Sequence, residues 1–358
     1  MKEYGRLILW IDGNFQKFSK MTFIQEAGMT RNRIAMVIIF TFMLSGTVWA
    51  HHAPGLTAAG LAGPLLTNSA STLQKGRFAI ALQSSYVDID SFSDGEMLGF
   101  AEEGHDVHTL DYLYTVSAGL SYGITDNLTV SLKIPYISFN NIREVHGEAE
   151  DHEGENGEEH AEVHVHGDSD GIGDITVLGQ YRFLKLDSEQ LESALLFGLK
   201  VPTGKTDEDD VNGERFETEF QPGSGSWDPI IGLALTKRFG RVSLDADARY
   251  TLVTEGSRDT DLGDLFNYDL ALSYHIPARI PMDLVLELNG EWKQKQEVDG
   301  EKDENSGEHA LFISPGARIY LGKASSAYLS AGFPVIQDMN GIQSDTDYRL
   351  FFGVSIGL

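Results

Sequence analysis

Period-two alternation runs through this chain after residue 76 and constrains its fold more than any other feature. In RVSLDADARYTL (241–252), Val242, Leu244, Ala246, Ala248, Tyr250 and Leu252 share one face. Arg241, Ser243, Asp245, Asp247, Arg249 and Thr251 share the other. MDLVLELNGEWK (282–293) sets Met282, Leu284, Leu286, Leu288 and Trp292 against Asp283, Glu287, Asn289, Glu291 and Lys293. FNYDLALSYHI (266–276) and NLTVSLKIPY (127–136) divide in the same way. About twelve such segments are expected, near 77–89, 110–124, 127–139, 174–185, 193–203, 227–238, 241–254, 266–276, 282–293, 309–322, 325–335 and 347–358. The phase is poor in 227–238 and 325–335.

These lengths suit tilted strands that cross a bilayer, and Tyr, Trp or Phe often closes the apolar face, where an interfacial girdle lies. The connections alternate as well. TDN, LDSEQLE, FGR, IPARIP and GKAS are short, whereas 90–109, 140–173, 204–226, 255–265, 294–308 and 336–346 are long. An even strand count with this rhythm predicts an all-β fold: a transmembrane antiparallel up-and-down β-barrel with short periplasmic turns and long acidic extracellular loops. A soluble β-sandwich would bury the apolar face instead, and alternation alone does not separate the two.

The N-terminus favours the membrane. RNRIAMVIIFTFMLSGTVWA (31–50) has a basic start, a short apolar run and small residues before Ala50, the pattern of a secretory signal peptide. Residues 29–50 are therefore expected to be the leader, 1–28 a non-native extension, 51–76 a periplasmic segment or plug, and 77–358 the barrel. The chain ends RLFFGVSIGL, still in alternation, which resembles the C-terminal signal read by the barrel-assembly machinery. The expected location is the Gram-negative outer membrane, with both termini periplasmic and lipid and lipopolysaccharide as neighbours. A net charge of -27 argues against nucleic acid, and the absence of cysteine excludes thiolate sites.

Four stretches, GPLLTNSASTLQKGRFAIAL (63–82), DGIGDITVLGQYRF (170–183), LFGLKVPTGK (196–205) and GSGSWDPIIGLAL (223–235), occur in an order and spacing that carry a resemblance. They are similar to the MetA-pathway phenol degradation family of outer-membrane β-barrel transporters. The resemblance extends from about residue 55 to 358 and implies a barrel that passes small molecules across the outer membrane. It does not carry phenol over as the ligand.

The inward faces carry both signs. Lys133, Arg182, Lys200, Arg249, Arg318 and Arg349 are basic; Asp245, Asp247, Asp269, Asp283, Glu287 and Glu291 are acidic, and Asp174 and Asp347 join them. Such residues either line a selective pore or fill a narrow lumen as ion pairs.

EVHGEAEDHEGENGEEHAEVHVHG (144–167) holds five histidines and no lysine or arginine. His146, His152, His160, His164 and His166 are imidazoles of the kind that bind Zn, Cu, Ni or Co, and His105 and His108 form a second pair in the first long loop. His51 and His52 would open the mature chain and could chelate copper. The irregular spacing reads as a mobile polyanion over the pore mouth, without fixed ligand geometry. EDDVNGERFETE (208–219) approaches a calcium-loop pattern but departs from it at its first place and at Arg215, so a solvated acidic loop is expected.

No nucleophile motif accompanies His275, Asp269 or Asp283, so no enzyme is expected and no cofactor is required. The leading expectation is a channel or transporter for small solutes. The alternatives are capture of divalent cations by the His-rich loop, and a structural or adhesive surface barrel.

Overall fold

The computed structural model describes residues 64–147, 161–322 and 324–358. The leader, His51, His52, His152 and His160 lie outside the described residues. Twelve strands form a closed antiparallel barrel. They are β1 (Phe78–Asp90), β2 (Tyr112–Thr125), β3 (Leu128–Val145), β4 (Ile175–Leu186), β5 (Leu191–Val201), β6 (Asp228–Phe239), β7 (Val242–Thr251), β8 (Leu265–Ile276), β9 (Met282–Lys293), β10 (Glu308–Tyr320), β11 (Ser325–Met339) and β12 (Asp345–Gly357). Neighbours in sequence pair in space. The ring closes where β1 pairs with β12, Ala79 opposite Gly357 and Asp90 opposite Asp345.

The outward face is apolar and the inward face polar. Ile80, Leu82, Leu233, Leu272, Leu284, Leu286 and Leu329 are exposed by 46–57%, whereas Glu287, Glu291 and Arg318 are 0% exposed. A soluble protein has the opposite arrangement. Only a lipid-facing wall makes this one favourable, and closure leaves no unpaired strand edge in the hydrocarbon. Aromatic rings mark both rims: Phe78 packs on Tyr122 at one end, and Tyr86 on Tyr112 and Tyr348 at the other. Among the described residues no helix is long and apolar enough to cross a membrane.

Two strands run past the expected bounds. β11 continues to Met339 through a register shift opposite Leu311 and Phe312, where Pro334 has no N–H to donate. The last long connection shrinks to 340–344 as a result. β3 continues to Val145 because two further strands hold it, Val107–Thr109 on one side and His164–Ile172 on the other. The segment 144–167, expected to be unstructured, is therefore β-structure at both of its described ends. A helix, α1 (Asp94–Glu102), begins at a Ser93–Glu96 capping box and buries Met97 and Ala101 beside Val145.

Leu272 lies in the apolar belt between Leu244 and Leu286. Leu272→Arg should cost roughly 2–4 kcal/mol if it lies at the bilayer midplane. Equilibrium unfolding in liposomes checks this, with inward Ser273→Ala as the near-neutral control.

Candidate functional site

Of the fourteen charged residues expected to face the interior, twelve lie on inward-pointing strand positions and nearly all of these are paired; Asp174 is buried just before β4 and Asp347 is half-buried near the start of β12. Arg249 bridges Asp247 (2.7 Å) and Asp269 (2.8 Å), and Asn289 donates to Asp269 at 2.9 Å. Arg349 meets Glu291 at 2.8 Å and stacks 3.6 Å over the Phe312 ring. Asp245 accepts from Thr236 and Ser243, and Arg182 reaches Glu192 and the Asp126 carbonyl. Asp283 accepts from Tyr320 and pairs with His275. Lys133 is buried, facing the interior, and no carboxylate among the described residues lies within ion-pair distance of it.

Sequence reasoning left residues 51–76 open between tail and plug. The described part from Pro64 to Leu73 follows the inner wall of the barrel, and Gln74 to Gly76 emerge at the turn that carries Asp126. Glu287 accepts the backbone N–H groups of Leu65 (3.0 Å), Leu66 (3.0 Å) and Thr67 (3.2 Å). Asp247 accepts from Asn68 N–H at 2.6 Å, Thr236 from Ala70, and Thr129 from Leu73. Gln180 donates to the Ser69 and Ser71 carbonyls, and Arg318 to that of Pro64. Leu65 and Leu66 pack on Val285, Tyr328 and Phe351. Inward carboxylates thus serve as acceptors for a segment that has no strand partner of its own.

Three of the four stretches that carried the family resemblance meet at one point. Asp174, from GIGD, accepts N–H bonds from Thr203 (3.1 Å) and Gly204 (2.9 Å) of PTG, and from Ser224 (2.9 Å) of GSGSWDP. Lys200 adds ion pairs to Asp174 and Asp228. A Cβ on Gly204 would lie 2.5 Å from the Gly223 Cα, so glycine is required where the two loops cross.

At the long-loop end a cavity of about 620 Å³ opens into the barrel. Its lining runs from His105, His108, Glu144 and His146 down to Lys293, Arg349 and Phe351. Glu144 is the hub of its wall. Its carboxylate is 2.7 Å from His108, 2.9 Å from His166 and 3.5 Å from His146. His166 also contacts Asp210 at 2.9 Å, and the His146 and His164 rings are 5.8 Å apart. Asp210, from the calcium-like stretch, accepts from Asn212 and Glu214 N–H, which ties its own loop. Glu217 and Glu219 approach His108 from the turn Thr218–Phe220. Of the histidines named from the sequence, the fold gathers His108, His146, His164 and His166, while His105 lines the cavity without joining them. Glu144 and Glu217 were missed because acidic residues are frequent throughout the loops, and Glu219 was weighed only as the last place of the calcium-like stretch. The adjacency of Glu144 to a strand end, two places before His146, was their one local signal.

Electrostatics follow this geometry. Burial acts to lower the His108 pKa, but the Glu144 carboxylate, reinforced by Glu219 and Glu217, pushes it up to about 10. Glu144 is buried too, yet His108, His166 and His146 hold its carboxyl well below the usual range. His166 is raised, chiefly by Glu144. Burial raises Glu219.

The profile of the family described as the MetA-pathway of phenol degradation matches residues 106–337. An outer membrane channel from Pseudomonas putida F1 is similar in fold, with a TM-score of 0.54, 18% identity, and coverage of 80% of this chain and 97% of that one. The NanC porin aligns at a TM-score of 0.41 with 12% identity over 78% of this chain and 100% of that one. A FadL homologue from Pseudomonas aeruginosa aligns at 0.37 with 11% identity over 87% and 99%. No curated protein matches in sequence.

The His108 contribution to stability is full below its ordinary value of 6.5 and is lost as pH rises through about 10. The Glu144 contribution is present above its ordinary value of 4.5 and is lost as pH falls further. Hydrogen exchange in chelator-treated buffer, corrected for intrinsic rates, should show greatest protection of 107–109 and 164–172 between these two values and progressive loss toward pH 10.

Proposed function

The chain belongs to the MetA-pathway of phenol degradation family, and from that premise we propose that it is an outer-membrane channel passing small solutes. The observation that carries this reading is the pairing of a lipid-facing apolar wall with a charged interior, entered from one end by a 620 Å³ cavity. A barrel that served only as a surface platform would have no need for that cavity. The similar Pseudomonas putida protein is itself an outer membrane channel. In the orientation proposed here both termini are periplasmic and the long loops face outward, with lipopolysaccharide around the outer rim and insertion by the barrel-assembly machinery.

Glu144, Glu217, Glu219, Glu308, Asp106 and Asp303 surround the cavity, against Lys293 and Arg349. Charge at a narrow mouth filters by sign, so neutral and cationic solutes are favoured over anions. Val87, Phe220 and Phe351 give the same cavity apolar surface, which suits small amphipathic molecules, aromatic ones among them. The segment 64–73 crosses the interior on the periplasmic side of this cavity and acts as a plug.

Reconstitution in planar bilayers tests both parts. The full chain should conduct in small steps with cation preference, and deletion of residues 64–73 should raise the unitary conductance several-fold. No conductance from either protein, together with liposomes impermeable to small solutes, would sink the channel reading.

A further inference from the structure

The wall of the cavity contains a set of donors that the channel reading does not use. One ligand atom from each of His108, Glu217 and Glu219 lies within 4.8 Å of the others. Three separate parts of the chain bring them together. His108 is fixed by the pairing of Val107–Thr109 with β3, and Glu144 is its register partner. Glu217 and Glu219 flank a turn anchored by the Ser169 hydroxyl on the Phe220 carbonyl and by Gln221 on the Phe216 carbonyl. His108 also packs edge-on against the Phe220 ring at 5.4 Å, which limits how it can turn. All of these contacts lie among the described residues.

A second observation points to a ligand. The Nε2 atom of His108 is sealed from solvent and makes no hydrogen bond of good geometry. Glu144 and Glu217 oxygens nevertheless approach it at 2.7 and 3.7 Å, and a Glu219 oxygen is 3.8 Å from Nδ1. Three carboxylates converging on one imidazole also leave an excess of negative charge that a single proton on the ring only partly offsets.

We propose that His108, Glu217 and Glu219, with Glu144 beside the ring, form a binding site for one divalent transition-metal ion of the zinc class in the cavity wall. Bonds of about 2.0–2.2 Å to nitrogen and oxygen bring tetrahedral ligands to roughly 3.3–3.5 Å of one another. The three donor atoms, within 4.8 Å of one another, must draw together to reach that spacing. A nitrogen in the donor set disfavours calcium and magnesium, which take oxygen ligands, and selects zinc, cobalt, nickel or copper. His146, 3.5 Å from Glu144, stands next to the site as a further donor. A bound cation there would offset the acidic rim and change which solutes enter. Binding itself does not depend on whether the barrel conducts.

The test uses the full chain in detergent, with His51, His52, His105, His146, His152, His160, His164 and His166 changed to alanine so that the other histidines of the loops and N-terminal segment do not contribute. Zinc chloride titrated calorimetrically should bind with a stoichiometry of one, while calcium chloride should give no signal. His108→Gln and the pair Glu217→Gln/Glu219→Gln should each weaken zinc binding at least tenfold. Because a variant could misfold, the background protein is also loaded with copper(II), and electron paramagnetic resonance should show nitrogen hyperfine coupling at one equivalent. Zinc binding that is absent from the background protein, or unchanged in both variants, would overturn the proposal. So would a copper spectrum without nitrogen coupling. Any of these results would leave the cluster as an imidazolium ion-pair network.

Discussion

The structure depends on one requirement: in hydrocarbon, every backbone N–H and C=O needs a partner, since no water is present to supply one. A sheet meets that requirement only by closing on itself, and here β1 meets β12 along their full length. Once closed, the period of two assigns every side chain to lipid or to the interior. Leu270, Leu272, Leu284 and Leu286 are then stabilised where they are exposed, and Asp269 and Glu287 must find partners where they are enclosed. The same rule explains why the strands outside the membrane belt behave differently. β3 runs eight residues beyond Tyr136 to Glu144, about 26 Å at an ordinary strand rise. There, side chains face water and loops, and the pairing serves to build a cavity wall.

Enclosed charge shapes the interior. Arg249 with Asp247 and Asp269, and Arg349 with Glu291, answer charge with charge across strands. Glu287 and Asp247 also accept backbone N–H groups of the chain that precedes β1. A carboxylate that accepts such bonds is partly desolvated at lower cost than a bare one. The segment 64–73 and the inner wall therefore satisfy each other: the segment has no strand partner, and the wall has acceptors to spare. It is held in this way by side chains and not by a ladder.

Much of this was legible in the sequence because alternation reports the side of a sheet directly. β9 begins and ends where MDLVLELNGEWK does. The bounds that moved did so for tertiary reasons. The upper part of β3 exists because strands 107–109 and 164–172 flank it, and β11 passes Pro334 by a register shift. The charged interior was legible residue by residue, but its pairing was not, since partners such as Arg349 and Glu291 come from strands that are not adjacent. The histidines were visible and their geometry was not. His108 and His166 are far apart in sequence and share Glu144 only through the fold. The convergence of GIGD, PTG and GSGSWDP on Asp174 likewise gives short glycine motifs a physical reason that spacing alone does not supply.

The central claim is that the charged interior is a path for solutes closed by the segment 64–73. The chain has no cysteine, so a single engineered pair can be followed cleanly. Leu66 and Val285 pack in one cluster and would be changed together to cysteine. Flux of a small cationic solute into liposomes should be low after oxidation and should rise when the bond is reduced with dithiothreitol. Equal flux in the oxidised and reduced states would contradict a plug that must move for solutes to pass.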